Sequence, residues 1–214
     1  MGSLIMNIAN NIRKIKSEIP DNVTIIGVTK YIDTQIAKEL LNQGITNLGE
    51  NRADVFLEKY NEIGNQAIWH FIGNLQTRKV RDIINKIDYL HSLDRISLAT
   101  EINKRADKKI QCFIQVNISQ EENKNGLKAC EVTDFVKHLY IYDKIEVVGL
   151  MTMAPNTKDE TVIRSCFANL RRLQKEVEII CPSCTQLSMG MTNDYKIAIE
   201  EGATFVRLGR CLVN

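Results

Sequence analysis

Eight short apolar runs alternate with helical-period segments along this chain. That alternation predicts an α/β fold: a single (β/α)₈ TIM-type barrel with an extra N-terminal helix. Two further observations narrow the choice. The 214 residues just exceed the roughly 200 that such a barrel needs. No Gly-x-Gly-x-x-Gly follows the first strand, which argues against an open doubly wound sheet. Parallel strands joined by right-handed helical crossovers close most economically into a barrel when there are eight of them. One domain over residues 1–214 is expected.

The elements follow in order. Leu4 to Ile19 carries Asn, Arg, Lys and Glu throughout, so it reads as a helix rather than a signal peptide or a membrane span. Residues 23–29 form the first strand, and the next helix places Ile36, Ala37, Leu40 and Leu41 on one face before Gly44 stops it. Ile45 to Leu48 is the second strand, followed by a helix bearing Val55, Phe56 and Tyr60. Ala67 to Ile72 is the third, with Val80, Ile83, Ile84 and Ile87 on its helix. Asp88 to His91 is a short fourth strand, and its helix carries Leu98, Ala99, Ile102 and Ala106. Ile110 to Ile118 is a strong fifth, with Val132, Phe135, Val136 and Leu139 behind it. Ile145 to Met151 precedes a long helix through Ile163, Phe167, Leu170 and Val177. Thr185 to Ser188 is the seventh, its helix opening near Thr192 and carrying Ile197, Ala198 and Ile199, and Thr204 to Leu208 is the eighth.

Composition excludes several classes. A net charge of +2, with lysines scattered among acidic residues, gives no nucleic-acid or polyanion footprint. No apolar stretch approaches the roughly 18 residues that span a bilayer. Six cysteines, mostly on apolar faces, indicate a reducing, cytoplasmic setting rather than a disulfide framework. Cys181-Pro-Ser-Cys184 precedes a strand instead of opening a helix, and no second pair completes a zinc site. His70, His91 and His138 lack ligand spacing, so no metal is expected.

Chemistry in such barrels sits at the C-terminal ends of the strands. There the first strand ends on Lys30, the second on Gly49-Glu50-Asn51, and the third carries His70 and Gly73-Asn74. Asn117 ends the fifth, Met151 to Pro155 the sixth, Ser188 to Thr192 the seventh and Arg207 to Arg210 the eighth. A lysine at a strand lip either snorkels to solvent or, with its pKa lowered by desolvation, attacks a carbonyl to form a Schiff base. Loops after strands seven and eight commonly hold phosphate, and Ser188, Gly190, Gly209 and a helix start near Thr192 suit that task. An amine facing a phosphate cup across a barrel mouth matches pyridoxal 5′-phosphate (PLP), an aldehyde at one end and a phosphate at the other.

Seven segments carry a resemblance in chain order: Gly27-Val-Thr-Lys30, Leu48-Gly-Glu-Asn51, His70 to Gln76, Val116 to Ser119, Gly149 to Pro155, Leu187 to Met191 and Val206 to Gly209. Together they resemble the pyridoxal-phosphate homeostasis protein family, which is related to the N-terminal barrel of alanine racemase. The resemblance implies that Lys30 binds PLP covalently and that Ser188 with the backbone of Gly209 and Arg210 holds its phosphate. It also implies that Arg207 faces the pyridine nitrogen and that Asn51 and His70 line the pocket. The family often has a second lysine and a proline where this chain has Tyr31-Ile-Asp33, and the ending Cys211-Leu-Val-Asn214 lacks the customary phenylalanine-glycine.

Two function classes compete. One is a PLP-binding protein that buffers or delivers the cofactor, with PLP-dependent apo-enzymes as partners; the other is an amino-acid racemase. Racemisation needs a base on each face of the substrate carbanion, and Lys30 supplies one. In alanine racemases the second is a tyrosine from an additional C-terminal domain, and few residues follow the eighth strand here. Arg207 beside the ring nitrogen would disfavour its protonation and weaken the electron sink. Alternation along a strand should turn Tyr31 away from Lys30. A monomeric binding protein with no catalytic residues is expected.

Overall fold

The computed structural model describes residues 1–214. Helix α1 (Gly2–Glu18) leads into β1 (Thr24–Val28), α2 (Thr34–Asn42), β2 (Asn47–Glu50) and α3 (Ala53–Ile63). Next come β3 (Ile68–Phe71), α4 (Thr77–Ile83), β4 (Tyr89–Leu93), α5 (Ile96–Arg105), β5 (Ile110–Gln115) and α6 (Val132–Leu139). The chain closes with β6 (Ile145–Met151), α7 (Glu160–Ile180), β7 (Gln186–Ser188), α8 (Tyr195–Glu200), β8 (Phe205–Leu208) and α9 (Arg210–Val213). The strands pair in parallel in the order β1 to β8, and β8 returns to β1, with Ile26 beside Arg207. This is the expected (β/α)₈ barrel with its extra N-terminal helix.

Alternation along the strands makes two cores. Side chains on the outer face of the sheet, such as Leu48, Trp69, Leu90, Ile114, Leu187 and Val206, join the helices in one large apolar shell. The inner face contributes a small second cluster of Ile26, Phe113, Val148, Met151 and Phe205, with Tyr89 against it. Helix α1 packs on α9, where Asn11 Nδ2 donates to the carbonyls of Leu212 at 3.2 Å and Asn214 at 3.0 Å. Those are C-terminal carbonyls that a short helix leaves unsatisfied. No helix is long and apolar enough to cross a membrane.

Several boundaries differ from the sequence reading. β2 begins two residues late, because Ile45 belongs to the turn that closes α2, its N–H donating to Leu40. β4 runs on to Leu93, and β5 stops at Gln115 because Val116 turns to bridge Leu127. α8 starts at Tyr195, since residues 191–194 form a turn in which Asp194 Oδ1 accepts from the Met191 amide at 2.7 Å. The helix expected to open near Thr192 thus begins three residues later, behind a turn in which the Tyr195 amide donates to the Met191 carbonyl at 2.8 Å. A short α9 follows β8, where the sequence reading saw only trailing residues.

Candidate functional site

β1 ends at Val28, and Thr29 is fully buried outside the barrel wall, where its hydroxyl meets Glu50. Lys30 follows in a turn at the rim, with an exposed side chain whose Nζ lies 5.1 Å from the centre of the Tyr31 ring. One expectation changes here: strand alternation does not separate Lys30 from Tyr31, because the strand has already ended. Tyr31 is 86% exposed and lies against the Lys30 ammonium. Asn51 follows β2 as a half-buried rim residue, as expected.

The inner face holds a polar chain that crosses the barrel. Asn47 Oδ1 is 2.8 Å from His70 Nε2, His70 Nδ1 is 2.8 Å from His91 Nε2, and His91 Nδ1 is 2.8 Å from Ser188 Oγ. Arg207 Nη1 donates to Ser188 Oγ at 3.4 Å and Nη2 to the Thr152 carbonyl at 2.9 Å. His70 stacks on Tyr89 and His91 on Phe113, with ring centres 4.5 and 4.3 Å apart. Burial pulls His70 down to about 3; it also pulls His91 well below the usual histidine range, with neighbouring His70 and Arg207 adding to the effect. Both rings are therefore neutral, which fixes the direction of every bond. The Asn47 oxygen only accepts, so His70 donates from Nε2 and accepts at Nδ1. His91 then donates from Nε2 and accepts at Nδ1, which leaves the Ser188 proton pointing at His91. The chain is a one-way series of donors from Arg207 to Asn47.

That direction bears on the site. The Ser188 hydroxyl is fully buried, spends its proton on His91 and receives Arg207. Its place is beneath the arginine, inside the barrel. Thr192 stands instead at the rim, its Oγ1 3.5 Å from Cys211 Sγ and so beside the turn from Gly209 to Cys211. Arg210 is exposed, and no side chain caps the first amides of α9. The two glycines differ in kind. Gly190, at φ +101°, is required by the fold, since a Cβ would lie 2.7 Å from that of Ala198. Gly209 is not, for a Cβ there would meet only Val28 at 3.5 Å. Its bare backbone leaves open space at the mouth.

Arg207 is the most informative residue. Burial lowers it to about 10, with Asp194 opposing, so it is a cation at neutral pH. It is 4% exposed, and its Nε is buried with no acceptor in the protein. A buried N–H of a cation without a partner is costly, and an aromatic ring nitrogen is an acceptor of the right kind. A PLP ring therefore fits the residues present. His91 was set at the end of the fourth strand and weighed only as a metal ligand, so its part in the site was missed; a histidine in each of two neighbouring strands was the available signal.

A family model described as alanine racemase, N-terminal domain, matches residues 5–214. The pyridoxal phosphate homeostasis protein of Aquifex aeolicus is 39% identical over 196 residues, covering 88% of this chain and 85% of the relative. PipY of Synechococcus elongatus, solved with PLP bound, superposes with a TM-score of 0.90 at 27% identity, covering 97% of this chain and 100% of PipY. Alanine racemase of Clostridium difficile shares the fold, with a TM-score of 0.84 at 17% identity over 96% of this chain and 56% of its own. The chain thus belongs to the alanine racemase N-terminal domain family and, within it, to the pyridoxal phosphate homeostasis proteins.

Proposed function

We propose that this protein holds PLP covalently at Lys30 and takes part in PLP homeostasis inside the cell, without turning over a substrate of its own. The orphaned Nε of Arg207, a buried donor without an acceptor on the inner face of β8, carries the reading. In this assignment Arg207 donates to the ring nitrogen, and the amides of Gly209 and Arg210 hold the phosphate beside the Thr192 hydroxyl. Lys30 supplies the amine from β1, and Asn51 lines the mouth from β2. Ser188 and His70 act from beneath, by holding Arg207 in place. PLP supplies a reversible link to amines and an electron sink, and a fixed cation at the ring nitrogen keeps that sink weak.

The absence of turnover is supported by the histidines. His70 and His91 are buried, neutral and committed to the polar chain, so neither serves as the second base. Tyr31 against Lys30 favours one competing reading, a racemase in which that phenol is the base. A chiral assay with L- or D-alanine should stay at background; sustained interconversion that disappears in Tyr31→Phe would establish the enzyme. Delivery to PLP-dependent apo-enzymes, a monomeric state and a cytoplasmic location complete the proposal, the last supported by six unpaired thiols.

Visible absorbance before and after PLP addition tests the binding directly. A new band from the lysine-bound aldehyde is expected, with much weaker binding of pyridoxal, which lacks the phosphate. No band at saturating PLP would overturn the proposal.

A further inference from the structure

A second buried polar cluster lies outside the barrel wall, between the ends of β1 and β2 and helix α3. Lys59, 3% exposed, donates from Nζ to Glu50 Oε2 at 2.6 Å and to the Thr29 carbonyl at 2.6 Å. The Thr29 hydroxyl donates to the same Glu50 oxygen at 2.5 Å, and the Thr29 amide donates to the Gly49 carbonyl at 3.0 Å. Glu50 is fully buried, and its Oε1 has no partner. An ion pair this dry, with one carboxylate oxygen idle, is a poor way to gain stability, since apolar residues of similar volume would serve as well or better. Its location suggests another role.

The carbonyl that Lys59 holds belongs to the peptide joining Thr29 to Lys30, and the same carbonyl accepts the Ile32 amide at 3.2 Å. Glu50 in turn directly precedes Asn51. One ammonium therefore fixes the peptide plane from which the Lys30 side chain departs, and one carboxylate ties the two strand ends that carry Lys30 and Asn51. We infer that Glu50 and Lys59 are positioning residues, a clamp behind the barrel wall that sets the direction of Lys30 toward the mouth. The inference rests on Lys30 as the attachment point. Nothing in it requires Lys59 to touch the ligand, and its burial keeps its amine away from the aldehyde.

The clamp can be removed without stranding a charge by the double substitution Glu50→Leu with Lys59→Met. Lys59→Arg keeps the cation and serves as the conservative rescue. Two readouts separate positioning from general stability. The first is amide hydrogen exchange over residues 28–32 in the protein without added PLP. It should rise roughly tenfold or more in the double variant, the size of one hydrogen bond to a charged group, while the β5 and β6 amides stay unchanged. The second compares total PLP retained on dialysis with the fraction reducible by borohydride onto Lys30. The double variant should retain PLP through Arg207 and the phosphate contacts, while its covalent fraction falls at least several-fold, and Lys59→Arg should recover most of both signals. Unchanged exchange over residues 28–32, or an unchanged covalent fraction in a folded double variant, overturns the clamp. If the unaltered protein takes up no PLP, the proposed function fails, and the exchange readout alone decides the clamp.

Discussion

Two buried polar networks meet at the top of this barrel, and they solve the burial problem in opposite ways. Inside, the chain from Asn47 through His70, His91 and Ser188 is neutral, and its only charge is Arg207 at the end nearest the mouth. Outside, Glu50 and Lys59 are both charged and satisfy each other and the Thr29 peptide. The inner network is complete except at the Arg207 Nε, the donor assigned above to the ligand ring; the outer one leaves idle only a carboxylate oxygen. A network that must present a donor to a ligand keeps its charge single and directed. One that must hold backbone can neutralise its charge internally.

The widest gap between the two should appear on breaking one member of each. Lys59→Met alone leaves Glu50 buried and unpaired and should cost about 3–5 kcal/mol of unfolding free energy in urea, with the Glu50→Leu, Lys59→Met pair recovering most of it. His91→Leu strands only neutral groups, so its cost should be nearer 1–3 kcal/mol. Equal costs would erase the distinction.

Acidity separates the networks next. The folded-state pKa values of His70 and His91 lie below the roughly 6.5 of an unfolded histidine, so the unfolded chain binds more protons as pH falls. The stability they contribute is complete above about pH 6.5 and declines toward about pH 3, by up to about 1.4 kcal/mol per pH unit for each histidine. In His91→Leu the acid slope between pH 6 and 4 should drop by about one proton's worth. An unchanged slope would mean that the ring is already charged in the fold.

The smallest effects distinguish Ser188 from Thr192. Ser188→Ala weakens the support of Arg207, so it should lower affinity for PLP and pyridoxal alike, by about 0.5–1.5 kcal/mol. Thr192→Val should lower affinity for PLP alone. The reverse pattern would return Ser188 to the phosphate.

Comparing the networks also shows how much the sequence disclosed. The barrel was legible because each strand is an apolar run flanked by turn residues and each helix keeps one apolar face. Ile45 misplaced β2 because an apolar residue looks the same in a turn as in a strand. Lys30, Asn51 and Arg207 were legible because they stand at or next to strand ends. Both networks were harder to see, since their members come together only through barrel closure: His91 and Ser188 are 97 positions apart. Lys59 left one trace. It lies three residues beyond Phe56 and four before Ile63, on the face of α3 that is buried. The part given to Ser188 depended on knowing where its proton goes, which no sequence pattern records.

On the proposed reading both networks serve Lys30, one by holding the ring beside it and the other by aiming its side chain. The most direct test of the account is borohydride reduction of the PLP-loaded protein followed by peptide mapping. The account predicts the pyridoxyl group on Lys30 alone and loss of the visible band in Lys30→Ala; label recovered mainly on another lysine, such as Lys79, would contradict it.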